Sequence, residues 1–277
     1  MTKKNKIIRA ILFIILVIFA IYTIMPIFWV FVTSLKTPEE ARSFPPTLIP
    51  KEVTFENYKL LFQDEQMMRS FLNSIIVAVP ATLLCVIISA LAAFAFSRYE
   101  FRGKKQLLAA VMGIFMIPIT MNTIPLYLIF QRMGLLDTYT GVILAYQVLI
   151  IPLNIFILKN HFDTIPVSLE EAAALDGATT MQRFTKVIIP LSWPGLSISF
   201  IFTFRFAWNE FVLPMILISS PSKTVFQVAM YRFLGLYSID WGLLSAAIVI
   251  GMIPILIIII FFQRQLLQGI QAGSIKG

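Results

Sequence analysis

Five stretches of this chain, 10–35, 70–97, 106–131, 138–158 and 241–263, contain no Asp, Glu, Lys or Arg, and each is at least 21 residues long. A helix rises 1.5 Å per residue, so about 20 apolar residues cross the hydrocarbon core of a bilayer. A sixth stretch, 187–222, is interrupted only by Arg205 and Glu210. Of 277 residues, 58% are hydrophobic and 13% charged, against roughly 45–50% and 25% in soluble domains. A water-soluble fold lacks the charged residues here to cover its surface, and lipid removes that requirement. Closed barrels also satisfy their backbone in lipid, but their strands alternate apolar and polar residues. The run 253–262, Ile-Pro-Ile-Leu-Ile-Ile-Ile-Ile-Phe-Phe, does not alternate. The expectation is an all-α polytopic membrane protein, one transmembrane domain over 1–277. Its six helices fall at about 10–35, 71–97, 106–131, 138–158, 195–218 and 241–263.

Lys3, Lys4, Lys6 and Arg9 precede the first apolar run, as in a secretory signal. That run exceeds the 7–15 residues of a signal core and ends without a small-x-small cleavage site, so it reads as a retained helix. Cys85 is the single cysteine, which leaves no disulfide framework and no thiolate metal site. With the N-terminus inside, cytoplasmic segments carry 13 Lys or Arg and external segments 8; the turn 97–105 alone holds four. Short basic loops stay in the cytoplasm. Both termini are therefore expected in the cytoplasm, and the net charge of +8 reflects topology rather than nucleic-acid binding.

Two loops are long. The external one, 36–69, holds four prolines and a segment, 55–62, suited to a short amphipathic helix. The internal one, 159–190, is the more informative. Pro166 breaks the preceding segment, and Ser168-Leu169-Glu170-Glu171 fits a capping box. Ala172, Ala173, Ala174 and Leu175 favour helix, and Gly177 suits the left-handed residue that ends one. A rod of about two and a half turns results, with an alanine face. Thr179 or Thr180 then caps a second helix through Val187, closed by Pro190. A helix lying on lipid headgroups would carry basic residues and bulky anchors; alanines and acids favour docking against a close partner.

The segment Glu171-Ala172-Ala173-Ala174-Leu175-Asp176-Gly177, followed at the right spacing by Val187-Ile188-Ile189-Pro190, resembles the Glu-Ala-Ala loop of binding-protein-dependent ABC importers. Val187 and Ile189 stand where the pattern has Ile and Leu. Further segments, Tyr99 to Lys104, Met116-Ile117-Pro118, Gly134 to Thr138, Ala207-Trp208-Asn209-Glu210-Phe211 and Gly269 to Gly277, are similar to the shorter, six-helix partner of the maltose-type carbohydrate permease pair. The resemblance implies the type I ABC importer permease fold. It also implies that the loop is a coupling helix on the ATPase, with Glu170, Glu171, Ala172, Ala173, Asp176 and Gly177 at the contact. The tail residues Gly273, Ser274 and Lys276 would reach the ATPases. The implied assembly holds a second, homologous permease, two ATPase subunits and an extracytoplasmic sugar-binding protein. ATP and Mg belong to the ATPases, and this chain binds no cofactor.

Arg205 lies about ten residues into the fifth span, near the midplane, where an ionisable group faces a cavity or a partner. Asn209 follows one turn later on the same face, and Glu210 is offset by about 140°. These residues read either as a polar lining of the translocation path or as an ion pair with the partner permease. Trp208 is either a platform for a sugar ring or a packing aromatic. Asn122, between Pro118 and Pro125, marks either a broken helix lining a cavity or a packing kink. Asn73 and Asn154 read as interhelical hydrogen-bond residues, and His161 as a solvated loop residue.

No phosphate-binding loop exists: the only Gly-Lys pair, Gly103-Lys104, has Arg98 where the first glycine belongs. Neither a metal cluster nor a nucleophile-base pair is visible. The expected function is sugar translocation across the cytoplasmic membrane, powered by a partner ATPase. The rival classes are an ion-gradient transporter, which calls for internal repeats and intramembrane carboxylates, and a non-transporting scaffold. Only Glu210 offers such a carboxylate.

Overall fold

The structure is a computed structural model that describes residues 3–235 and 239–274. Its helices are α1 (Lys3–Ser34), α2 (Pro38–Ala41), α3 (Glu56–Gln63), α4 (Glu65–Arg98), α5 (Lys104–Phe115), α6 (Ile119–Arg132), α7 (Tyr139–Phe162), α8 (Val167–Leu175), α9 (Thr180–Arg183), α10 (Ile189–Leu191), α11 (Trp193–Asn209), α12 (Val212–Leu217), α13 (Phe226–Met230) and α14 (Trp241–Ser274). A π-helical stretch, Phe184–Ile188, joins α9 to α10. Packing divides the chain into two bodies, Met1–Met68 with Met230–Ile253, and Arg69–Ala229 with Pro254–Gly277.

In the first body, α1 exposes nearly every apolar side chain from Ile11 to Phe28, which suits a helix surrounded by lipid or by another protein. Its C-terminal end is anchored. Asn57 Nδ2 donates to the carbonyls of Ser34 and Lys36, each at 2.9 Å, and Ser34 and Tyr58 share a hydroxyl–hydroxyl bond of 2.6 Å. The amphipathic segment expected at 55–62 is thereby α3. Buried Lys36 donates to the Thr47 carbonyl at 2.5 Å and lies 4.9 Å over the Trp29 ring. Satisfying its charge this way lets the aliphatic stem stay out of water.

The second body has two cores. One gathers Val77, Ala81, Tyr146, Phe204, Trp208, Leu213 and Leu217 from α4, α7, α11 and α12. The other gathers Ala93, Phe94, Leu158, Phe162, Phe184, Ile188 and Leu196 beneath the 159–190 loop. Asn154, fully buried on α7, bonds across helices: its Nδ2 donates to Thr203 Oγ1 at 2.8 Å and Cys85 Sγ at 3.3 Å, and its Oδ1 accepts from Ser199. Asn73 Nδ2 donates to the Ser222 and Thr224 carbonyls at 3.0 and 2.9 Å, and Tyr139 donates to its Oδ1 at 2.7 Å. Both asparagines therefore act in packing. His161 departs from the solvated-loop expectation: it sits in the last turn of α7, and a Cβ on Gly195 would come within 2.6 Å of its ring.

Among the described residues, four helices are long and apolar enough to cross a membrane: Ile11–Ser34, Glu65–Arg98, Tyr139–Phe162 and Trp241–Gln265. Thr180–Leu191 and Trp193–Asn209 make a fifth if counted as one span, bent by 79°. Two expected spans are not continuous helices. The one at 106–131 is split into α5 and α6 at Met116–Pro118, because proline lacks an amide donor and pushes the residue before it out of the α region. The one at 195–218 is split into α11 and α12 at Glu210, whose backbone is extended (ψ 128°). The continuous helices alone do not reach six.

Candidate functional site

The rod expected at 168–176 is α8, Val167–Leu175. Its start differs from the expected capping box. Pro166 occupies the N-cap with no side-chain cap bond, and Ser168 lies inside the helix. Proline just ahead of the first turn sets φ near −60° without needing a cap, which shifts the start by one residue. The end is as expected. Gly177 has φ +83°, its amide donates to Ala174 O at 3.0 Å, and the Ala178 amide to Ala173 O at 2.9 Å. This paired closure is the Schellman motif. Thr179 rather than Thr180 caps α9, in a box completed by Gln182. Pro190 lies within the helical run, which turns at Ser192 instead.

The two faces of α8 differ. On the side opposite Glu170, Ser168, Ala172 and Leu175 are exposed, Leu175 at 90%. Glu170 is only 4% exposed, because its carboxylate pairs with Arg98 Nε at the last turn of α4. The same guanidinium donates from Nη2 to Ile165 O at 3.2 Å and from Nη1 to Ser97 Oγ at 2.8 Å. Ser97 in turn donates to Asp163 Oδ1 at 2.6 Å, and Lys159 pairs with Asp163 Oδ2 at 2.6 Å. Glu170 is thus turned toward its own chain, unlike its expected role at the ATPase contact. Charge counting assigned Arg98 only a topological role; its carboxylate is 72 residues away, and no local signal announces it. Ala173, Asp176, Gly177, Ala178, Gln182, Lys186 and Val187 line a hollow of about 370 Å³ beside the helix end.

The expected path residues separate. Arg205 and Asn209 share the exposed side of α11, with Asn209 Nδ2 donating to Arg205 O at 2.8 Å. Trp208 is 1% exposed, stacked 5.8 Å from Phe204 and edge-on to Phe71 at 5.4 Å. It packs in the core of this chain, as the packing-aromatic alternative has it. Buried Glu210 accepts from the amides of Phe211 (2.9 Å) and Leu213 (2.8 Å), capping α12. Asn122 is half-buried in the first turns of α6, after the break rather than at it. Of the expected tail contacts, Gly273 and Ser274 end α14, and Lys276 lies outside the described residues.

Away from α8, Asp137 holds the segment 219–223. It accepts from the amides of Ser219 (3.1 Å) and Ser220 (2.9 Å), and pairs with Lys223 Nζ at 2.8 Å. Lys223, the Ser220 hydroxyl and these amides hold its carboxyl well below the usual carboxylate range.

This fold and loop define a permease: residues 86–271 match the family of binding-protein-dependent transport system inner membrane components, and the chain belongs to that family. Its sequence is 37% identical to the trehalose transport system permease protein SugB of Mycobacterium tuberculosis, over 92% of this chain and 93% of that protein. It is 34% identical to the sulfoquinovosyl glycerol transport system permease protein SmoH of Agrobacterium fabrum, over 92% and 89%. The fold superposes on a chain of a bacterial ABC transporter that imports the acidic polysaccharide alginate, with TM-score 0.81 and 25% identity, covering 95% of this chain and 98% of that one. As a transport permease with several apolar spans it is a multi-pass membrane protein.

Proposed function

We propose that this chain is one of two permeases in an ATP-driven importer of a sugar or oligosaccharide, with both termini in the cytoplasm. The carrying observation is the two-sidedness of α8: a nine-residue helix closed by Gly177, anchored on one side by Glu170 and bare on the opposite side at Ser168, Ala172 and Leu175. So short a helix is marginal alone, and small side chains on the bare face admit a close partner. That partner is an ATPase subunit, which binds ATP and Mg and supplies the energy. The substrate class follows from the permeases it resembles, named for trehalose and sulfoquinovosyl glycerol. A sugar-binding protein delivers substrate on the outer side. Arg205 and Asn209 are exposed at membrane depth, where lipid disfavours a guanidinium; that face of α11 meets the second permease across the path. The test is to purify the chain with its natural partners and cross-link the Ala172→Cys variant. A product with the co-purifying ATPase, together with ATP hydrolysis stimulated by one member of a disaccharide and oligosaccharide panel, is expected. If the introduced thiol stays uncross-linked and reacts only with lipid-soluble reagents, the reading fails.

A further inference from the structure

We propose that Arg98 is the positioning residue through which a displacement of α8 reaches α4, a role that rests on reading α8 as the docking helix. Three observations carry it. First, the guanidinium binds three separate things: the Glu170 carboxylate on α8, the Ile165 carbonyl in the linker ahead of α8, and Ser97 on its own helix. Its planar fork fixes directions as well as distance. Secondly, the pair is withdrawn from water, with the side chains 10% and 5% exposed. There it is screened little by salt, and separating the two groups strands a buried charge. Thirdly, the apolar packing nearby is not what joins α8 to α4. Val167, Leu169 and Leu175 are exposed, and Glu170 is the one buried residue of the helix. The second core reaches the loop through Phe162, Ile165, Phe184 and Ile188, all outside α8, with the Phe184 ring 5.0 Å from that of Phe94 on α4. The neighbouring charges have partners of their own: Asp163 is held by Lys159 and Ser97, and Arg183 Nη2 donates to Thr180.

A push on the bare face of α8 therefore meets α4 chiefly at one polar joint. With Arg98 present, the end of α4 follows α8 as one body. Without it, Glu170 turns outward to water and α8 moves alone.

The experiment uses the whole complex in nanodiscs with its natural partners. Spin labels are placed at Arg102→Cys, just past α4, and Ala172→Cys on α8; native Cys85 is fully buried and stays unlabelled. Distances are read without nucleotide and with ATP plus orthovanadate. The expected result is one narrow distribution, unchanged by nucleotide, in the otherwise native chain. In Arg98→Ala the distribution shifts by about 5 Å, one helical turn, on adding nucleotide, and Arg98→Lys restores most of the native behaviour. A role in stability alone would lower yield without creating nucleotide dependence. Should Arg98→Ala fail to assemble, Glu170→Gln, which keeps the side-chain volume, carries the same reading. An unchanged narrow distance in whichever variant assembles overturns the inference. The Ala172→Cys cross-link to the ATPase separates the two ideas: a cross-link with unmoved distances removes only the joint, whereas no cross-link in the native background removes the docking reading itself.

Discussion

Glu170 and Glu171, neighbours in sequence, lie about 100° apart around α8: the first is buried against Arg98 and the second is exposed. Their variants should therefore fail differently. Glu170→Ala leaves Arg98 without its carboxylate and is expected to lower stability by about 3 kcal/mol, the lower end for breaking a buried pair. Glu171→Ala should change stability by less than about 0.5 kcal/mol, yet abolish sugar-stimulated ATP hydrolysis. Thermal unfolding of the purified complex and its ATPase rate distinguish them; equal losses of stability would contradict the two-sided helix.

The two glycines of this region also have different reasons. Gly177 adopts φ +83° with nothing within 4 Å of an added Cβ, so its constraint is purely backbone. Gly195 is helical, and its added Cβ would meet His161 Cγ at 2.6 Å and Cδ2 at 2.7 Å. Gly195→Ala is expected to cost about 1–3 kcal/mol by overpacking, against the ~1 kcal/mol that alanine normally adds to a helix. In a His161→Ala background most of that penalty should vanish, although His161 Cβ remains 3.0 Å away. A double-mutant cycle by thermal unfolding reads the difference, and additive losses would refute the contact.

Local signals were readable in the chain wherever the physics is local. The alanine run, the left-handed Gly177 and a threonine cap at 179 or 180 depend on neighbours within four residues. The long uncharged blocks are likewise contiguous in the chain and are seen without the fold. Ser168 misled because its capping pattern competes with Pro166, which starts the helix one residue earlier. The spans at 106–131 and 195–218 looked continuous because hydropathy counts side chains, whereas Pro118 and the Glu210 carboxylate act on backbone amides. Arg98 was opaque for a further reason. Charge counting explained it as a topology signal, and only the fold brings Glu170 to it. Asp137 and Lys223 share that property, being 86 residues apart.

The Asp137 clamp predicts a pH dependence with a definite sign. Its folded pKa is depressed by Lys223, Ser220 and the backbone amides, so its contribution is fully present above the unfolded value near 3.9. As pH falls below about 4, the contribution diminishes and is lost through the folded pKa. Asp137→Asn should therefore unfold at a lower temperature than the native chain by a constant margin from pH 7 to about 5. The margin should narrow in more acidic buffer. Melting curves of both proteins across that range provide the check, and a margin that widens in acid would give the wrong sign.

Trp208 and Arg205 lie three residues apart on α11, and their burial assigns them opposite phenotypes. Trp208 stacks on Phe204 and meets Phe71 edge-on, and it is almost fully buried. Trp208→Ala empties a large volume and is expected to cost about 3–5 kcal/mol, seen as poor yield and low melting temperature. Any complex that survives should keep its half-saturating sugar concentration. Arg205 is exposed on this chain, so Arg205→Ala should leave the melting temperature of the isolated permease nearly unchanged. Either loss of the second permease from the purified complex or a raised sugar requirement is expected, because a guanidinium at that depth must be met by a partner or by the path. A Trp208→Ala complex of native stability with altered sugar response would return Trp208 to the path, since a side chain packed as it is here can change binding only by disturbing the fold.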